Sequence, residues 1–159
     1  MMKTSNELSD KEIQVILKYH GIKINGIFMK DEFPKNPKVG FYIINLASSN
    51  DGTNGTHWCS LYYYPSMSIY FDAFGFVPPK EIEDKIEKYI YNDRDIQNYN
   101  DTSCGYFCIA FIILLFNKKN KYDFFHTFIR LFHRDTKQNN KIVEEIINEP
   151  IVRILKSSY

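Results

Sequence analysis

The 159-residue chain has no long apolar run, no excess of one charge and no even set of cysteines. Its longest apolar stretch, residues 104–116, is shorter than the roughly 20 residues that a membrane-spanning helix needs. The polar N-terminal segment lacks the apolar centre of a signal peptide, so we expect a protein that is neither embedded in a membrane nor secreted. The three cysteines are therefore expected to be reduced thiols rather than a disulfide framework.

The charges of the chain are balanced, because 20 lysines and arginines stand against 19 aspartates and glutamates. No global electrostatic field would therefore recruit nucleic acid or an anionic membrane. Alanine is scarce, with 3 residues against 21 isoleucines, 16 lysines and 14 asparagines, a usage typical of A/T-rich codons. Hydrophobic residues make up 44% of the chain, which is enough for one core, and we predict a single domain over residues 1–159.

Helix caps, apolar spacing and turn residues divide the chain into predicted helices and strands. The predicted order is a helix at 9–21, an irregular segment at 25–40, strands at 40–47, 57–64 and 68–74, a helix at 77–90, a strand at 95–99, and helices at 104–116, 121–133 and 137–156. The fold class is therefore α+β, with a small mixed or antiparallel sheet packed against helices. The most apolar helix is predicted to begin at Cys104 and to lie in the core.

Four polar residues fall at positions where they can meet. His57 begins a predicted strand, and Asp72 lies on the strand that pairs with it across a hairpin, so we expect their side chains to be neighbours. Cys104 lies in the first turn of a helix, where unpaired N–H groups and the helix dipole favour a thiolate. Gln97, seven residues earlier, can direct its amide at a carbonyl that Cys104 attacks. The four match the base, the orienting carboxylate, the nucleophile and the oxyanion donor of a thiol enzyme.

Four motifs carry a family resemblance when they are taken in order: "HW", "FDAFGF", a glutamine seven residues before a cysteine, and "CGYFC". Within residues 42–116 this order resembles the adenain family of viral cysteine proteases and, more distantly, the SUMO- and ubiquitin-like-protein proteases. The resemblance implies an adenain-like fold in which Cys104 attacks and His57 acts as general base. Asp72, which stands where adenain has a glutamate, would orient the imidazole, and Gln97 would complete the oxyanion hole with the backbone N–H of Cys104.

The same resemblance assigns substrate contacts to Trp58 and Gly105. In the ubiquitin-like-protein proteases, the tryptophan after the histidine covers a narrow channel that admits only small residues. The resemblance therefore implies cleavage after a small residue of the glycine type. Trp58 taken alone is more typical of a core residue than of a channel wall.

The resemblance also implies a biological setting. Together with the A/T-rich usage and the small size, it indicates a virophage or large-DNA-virus maturation protease that acts on capsid precursor proteins. Such an enzyme would be found in the virion, the host-cell cytoplasm or a virus factory, as a monomer without a cofactor. Host ubiquitin- or SUMO-like proteins are the alternative substrates. In adenain, DNA and a peptide that can be tied to a cysteine act as activators, so the resemblance implies such activators here. The near-neutral charge of this chain does not favour DNA, and the lack of an evident exposed cysteine does not favour the peptide.

Two interpretations from other classes remain open. His57 and Cys59 share one face of a strand, while Cys104 and Cys108 share one face of a helix, so a Cys₃His zinc site is geometrically conceivable. Two cysteines four apart inside an apolar helix are not typical of structural zinc sites, however, and we interpret Cys59 and Cys108 as small buried hydrophobes. The other alternative is a binding scaffold without catalytic activity.

Overall fold

The computed structural model describes residues 7–49 and 57–149. The helices in these ranges are α1 (Asp10–Tyr19), α2 (Lys80–Ile86), α3 (Cys104–Leu115), α4 (Lys121–Arg130) and α5 (Asn139–Asn148). The strands are β1 (Gly26–Met29), β2 (Gly40–Asn45), β3 (Trp58–Tyr63), β4 (Ser68–Phe71) and β5 (Tyr89–Tyr91), and short 3-10 turns lie at Lys30–Glu32 and Thr136–Gln138.

The five strands form one open sheet in the order β1-β2-β3-β4-β5. The three central strands pair antiparallel, whereas β1 joins β2 and β5 joins β4 in parallel. Helices pack against this mixed sheet, so the predicted α+β class is confirmed at that level. No helix in the described ranges is both long enough and apolar enough to cross a membrane.

Helix α3 is the centre of the larger core. It packs against β3 and is enclosed by α1, α4 and α5, so every residue of α3 except Leu114 is buried. This enclosure explains why the helix has no polar face. Phe111 lies in the middle of the core, and its ring centroid is within 5.3–6.1 Å of four others, those of Phe41, Phe71, Phe125 and Phe128.

The pairing of β3 with β4 sets the geometry of one end of the sheet. Ser60 lies opposite Phe71, and the pairing continues to Tyr62 opposite Ile69. Extended by three residues beyond the ladder, this register brings His57 opposite Phe74. Asp72 is then two residues from Phe74, on the diagonal from the histidine. The hairpin thus places His57 and Asp72 at the same end of the sheet.

Two predicted segments have the wrong type of structure. The segment 25–40, predicted to be irregular, contains β1 and a 3-10 turn, because its short apolar run pairs with β2, a partner that local composition does not reveal. The predicted strand at 95–99 is not a strand. Instead, the N–H groups of Ile96 and Gln97 both donate to the carbonyl of Ala73, which excludes the spaced ladder of a strand.

Two predicted helices are too long. The helix predicted at 77–90 ends at Ile86, and Tyr89–Tyr91 forms β5, since its aromatic and β-branched residues favour a strand and pair with β4. The helix predicted at 137–156 begins at Asn139 and ends at Asn148. Glu149 has extended backbone angles, as expected for a residue before a proline. Residues 150–156 of that prediction lie outside the described residues.

Phe111→Ala should destabilise the protein by about 3–5 kcal/mol, because it leaves a cavity among four aromatic rings. Urea unfolding, followed by the fluorescence of the single tryptophan, measures the loss. Tyr19→Ala serves as the control, since that side chain is 84% exposed and its removal should change the stability by less than about 0.5 kcal/mol. Equal losses for the two variants would contradict the position of Phe111 in the core.

Candidate active site

His57 and Asp72 form a buried pair at the end of the β3–β4 hairpin. The His57 Nε2 lies 2.7 Å from Asp72 Oδ1, and the same oxygen accepts a hydrogen bond of 2.8 Å from the backbone N–H of Phe74. The Asp72 side chain is fully buried, while 11% of the His57 side chain is exposed. Because Asp72 engages Nε2, the Nδ1 of the ring remains for a second partner.

A stack of aromatic rings covers the imidazole of His57. The ring of Phe74 lies 4.4 Å from the imidazole at an interplanar angle of 9°, and Tyr99 stacks on Phe74 at 5.0 Å. Phe74 thus touches the imidazole with its ring and the Asp72 carboxylate with its N–H. Together these contacts fix the ring plane of His57. Neither Phe74 nor Tyr99 is among the site residues predicted from the sequence, although the register of the hairpin could have indicated Phe74.

Cys104 is the first residue of α3, and its sulfur lies at the start of β3. The backbone N–H of Trp58 donates to Cys104 Sγ at 3.4 Å, within the range for a sulfur acceptor. The indole N–H of Trp58 donates to the carbonyl of Leu8 at 2.9 Å. The residue after the histidine therefore joins the nucleophile candidate to the segment that precedes α1.

Gly105 lies where the start of α3 packs against Leu8 and Trp58. A Cβ at its position would be 3.1–3.3 Å from Leu8 and Trp58, so glycine allows the first turn of α3 to approach both side chains closely. Gly105 is itself buried. Its predicted contact with a substrate remains a prediction, whereas its contact with Trp58 is part of the structure.

The charge of His57 depends on its two polar neighbours. Burial lowers the pKa of His57, but hydrogen bonding to Asp72 and Cys104, together with their negative charge, raises it from 6.5 to about 9. The imidazole is therefore protonated at neutral pH. A protonated imidazole is the partner that thiol nucleophiles use in Cys–His enzymes.

Gln97 is fully buried in the segment that leads to α3. Its Nε2 donates to the carbonyl of Asp101 at 2.8 Å, and its backbone N–H donates to Ala73, the residue after Asp72. Its Oε1 is buried without a hydrogen-bond partner. These bonds hold Gln97 between the Asp72 turn and the loop before Cys104. Its amide has one further N–H to offer, so the oxyanion role stays a prediction.

The other two cysteines have the surroundings of buried hydrophobes. Cys59 and Cys108 are fully buried, and burial raises the pKa of both thiols. Cys108 belongs to the core around α3, whereas Cys59 belongs to the smaller core on the other face of the sheet. This separation does not favour the four-ligand Cys₃His arrangement considered from the sequence.

One group of residues in the described ranges has the spacing of metal ligands. It consists of His57, Cys59 and Asp72, whose ligand atoms lie within 4.8 Å of one another. Cys59 would have to lose its proton to bind a metal ion, and burial opposes that loss. The contact of His57 with Asp72 also occupies one atom of each. The three residues are therefore better described as a hydrogen-bonded His57–Asp72 pair with the neutral thiol of Cys59 beside it.

A cavity of about 580 Å³ adjoins Trp58 on the side of α1 and β1. Apolar residues and the edge strand form part of its lining. Four of its described lining residues are acidic, and none is basic. The lining residues are Glu7, Leu8, Ser9, Asp10, Glu12, Ile27, Phe28, Met29, Glu32 and Trp58. The volume is within the range of ligand pockets, and Trp58, which lines the cavity, also contacts Cys104 through its backbone N–H.

No protein-family model matches the chain, and no curated protein matches it. The resemblance to adenain is therefore carried by the order and spacing of the site residues.

The pKa of His57 gives a direct test of the site. Because the folded pKa is raised, the ring should stay protonated between pH 6.5 and about 9 and lose its proton only above that window. An NMR titration of the imidazole resonances measures this. In Asp72→Asn the pKa should fall toward or below 6.5, since burial still lowers it while the carboxylate no longer raises it. A titration near 6.5 in the unmodified protein would contradict the ion pair.

Proposed function

We propose that the protein is a cysteine peptidase in which Cys104 is the nucleophile. The observation that carries the proposal is a buried His57–Asp72 pair at the start of β3, where the N–H of the next residue, Trp58, donates to the sulfur of Cys104 at the start of α3. Nucleophile, base and orienting group in this order are the arrangement that activates a thiol for acyl transfer.

The reaction would proceed through an acyl-enzyme. The Cys104 sulfur, having given its proton to His57, attacks the carbonyl carbon of the scissile peptide and forms a C–S bond. The negative charge moves to the carbonyl oxygen, where the N–H of Cys104 and the free N–H of Gln97 would stabilise it. The C–N bond breaks as His57 gives its proton to the leaving amine. Water then attacks the acyl carbon, gives its proton to His57 and releases the sulfur.

The proposal includes an adenain-like family and a polypeptide substrate. An adenain-like fold is supported by the order of the site residues and by a core helix that begins at the nucleophile. Trp58, close to Cys104 and lining the cavity, suits a channel wall that requires a small residue such as glycine before the scissile bond. Capsid precursors of a virophage or large DNA virus are the proposed substrates, and ubiquitin- or SUMO-like proteins are the alternative.

Cys104→Ala and His57→Ala should each abolish cleavage of peptides that carry glycine before the scissile bond. The first variant removes the atom that forms the acyl-enzyme, and the second removes the base. Iodoacetamide should alkylate Cys104 faster than free cysteine at neutral pH, and His57→Ala should remove this advantage. Mass spectrometry identifies the alkylated residue, and a peptide assay measures turnover.

Cys108→Ala is the matched control, because it removes a buried thiol of the same helix and should leave turnover in place. Cleavage that persists in Cys104→Ala would refute the nucleophile. Turnover that is lost on treatment with a chelator, together with stoichiometric zinc in the purified protein, would favour the metal interpretation instead.

The charge of the cavity beside Trp58 favours basic substrates. Its four acidic lining residues include Glu7 and Glu32, and a substrate that extends from Cys104 past Trp58 would pass them. Opposite charges in such a cleft select between substrates and raise the association rate more than they raise the affinity. We therefore expect lysine or arginine on the acyl side of the scissile glycine to be preferred.

The preference for basic substrates can be measured with peptides that differ only in lysine or glutamate at each acyl-side position. The lysine peptide should have the higher kcat/KM, and Glu7→Gln with Glu32→Gln should reduce its advantage about 5- to 10-fold, the scale of two exposed ion pairs. The effect should weaken as salt is added. Asp84→Asn, which removes an exposed carboxylate outside the cavity, should leave the ratio unchanged. Equal ratios in all variants would exclude this cavity as the substrate cleft.

A further inference from the structure

Asn92 follows β5 directly and holds the backbone of Asp72 from both sides. Its Oδ1 accepts a hydrogen bond of 3.2 Å from the N–H of Asp72, and its Nδ2 donates to the carbonyl of Asp72 at 2.5 Å. The same Nδ2 donates to the carbonyl of Arg94 at 3.2 Å. Asn92 is only 3% exposed. Three bonds from one buried amide therefore connect Asp72 to the segment after β5.

Beyond the end of the β4–β5 ladder, the side chain of Asn92 makes the hydrogen bonds that a further strand residue would make. The parallel ladder between β4 and β5 ends with Tyr70 opposite Tyr91, and Asp72 lies two residues beyond Tyr70. An amide side chain carries the same donor and acceptor as a peptide group. By bonding to both the N–H and the carbonyl of Asp72, it takes the place of the missing strand residue. The backbone of Asp72 is thereby hydrogen-bonded at both its N–H and its carbonyl, as a strand residue would be.

The carboxylate of Asp72 needs such support because its own contacts are few. Oδ1 is shared between His57 and the N–H of Phe74, and Oδ2 is buried without a hydrogen-bond partner. A buried carboxylate in this state is stabilised only if the contact with His57 keeps good geometry. A small rotation of the Asp72 backbone would move Oδ1 away from the imidazole.

We propose that Asn92 is a positioning residue that keeps the Asp72 carboxylate directed at His57. The proposal rests on the proposed peptidase function only for its catalytic readout. Its structural part is that the Asn92 amide keeps His57 and Asp72 aligned, although it bonds to neither the His57 imidazole nor the Cys104 thiol.

Asn92→Leu and Asn92→Ala test the proposal. Leucine has a similar volume and keeps the packing but makes none of the three bonds, and alanine removes the side chain altogether. In both, NMR titration of His57 should give a pKa lower than about 9, because the carboxylate no longer raises it fully. The value of kcat/KM for a glycine peptide should fall about 10- to 100-fold, mainly through kcat, the scale for a catalytic group displaced by about 1 Å.

Phe125→Leu is the control for stability, since Phe125 is a core residue of α4 that packs against Phe111. It should lower the melting temperature without changing the titration of His57. An Asn92 variant that behaves in the same way would overturn the proposal, and so would failure of both Asn92 variants to fold, because Asn92 would then be structural alone. If the unmodified protein cleaves no peptide, the NMR titration still decides about Asn92, while the peptidase proposal fails separately.

Discussion

The register of β3 against β4 is the constraint on which the rest of the site depends. With Ser60 opposite Phe71, the sheet delivers His57, Phe74 and Asp72 to one end of the hairpin. A slip of one residue would exchange the two faces of β3, placing its side chains in the wrong core and moving the histidine to the other face. Since β3 is central and both of its faces are buried, the core that stabilises the fold also enforces the alignment of the site.

The second requirement is that the start of α3 meets the start of β3. Three contacts bring this about: the N–H of Trp58 on the Cys104 sulfur, the indole N–H on the carbonyl of Leu8, and the close approach that Gly105 permits. The thiol is thus placed by a strand, a helix and the segment before α1 together. Residues far apart in the sequence have to fold before any of the proposed chemistry is possible.

The parts of the fold that could be predicted from the sequence are those with strong local patterns. The strands β2 to β4 are apolar runs bounded by turn residues, and α3 is a long apolar run, so both types of element were evident. The strands β1 and β5 have four and three residues, and each exists through a parallel pairing with a strand that is distant or separated by a helix. Such pairings leave little trace in local composition.

In the site, too, contacts within one hairpin or helix could be predicted, whereas contacts between separate segments could not. His57 and Asp72 could be predicted as neighbours because a tight hairpin joins their strands, and Cys104 because it begins a helix. The hydrogen bonds of Gln97 with Ala73 and Asp101 could not be predicted, because the sequence of this segment is typical of a strand. Nothing in the sequence distinguishes Asn92 from the other thirteen asparagines. Its bonds to Asp72 depend on where the β4–β5 ladder ends, which only the structure shows.

The enclosure of α3 has a consequence for how the molecule would fail on heating. A helix with nearly every side chain buried has no solvated face on which it could slide or fray at its first turn. The first turn of α3, which carries Cys104, belongs to the same buried core as the aromatic cluster around Phe111. The position of the Cys104 sulfur against β3 and the fold of the whole domain should therefore be lost as one cooperative event, with no partly ordered state between them.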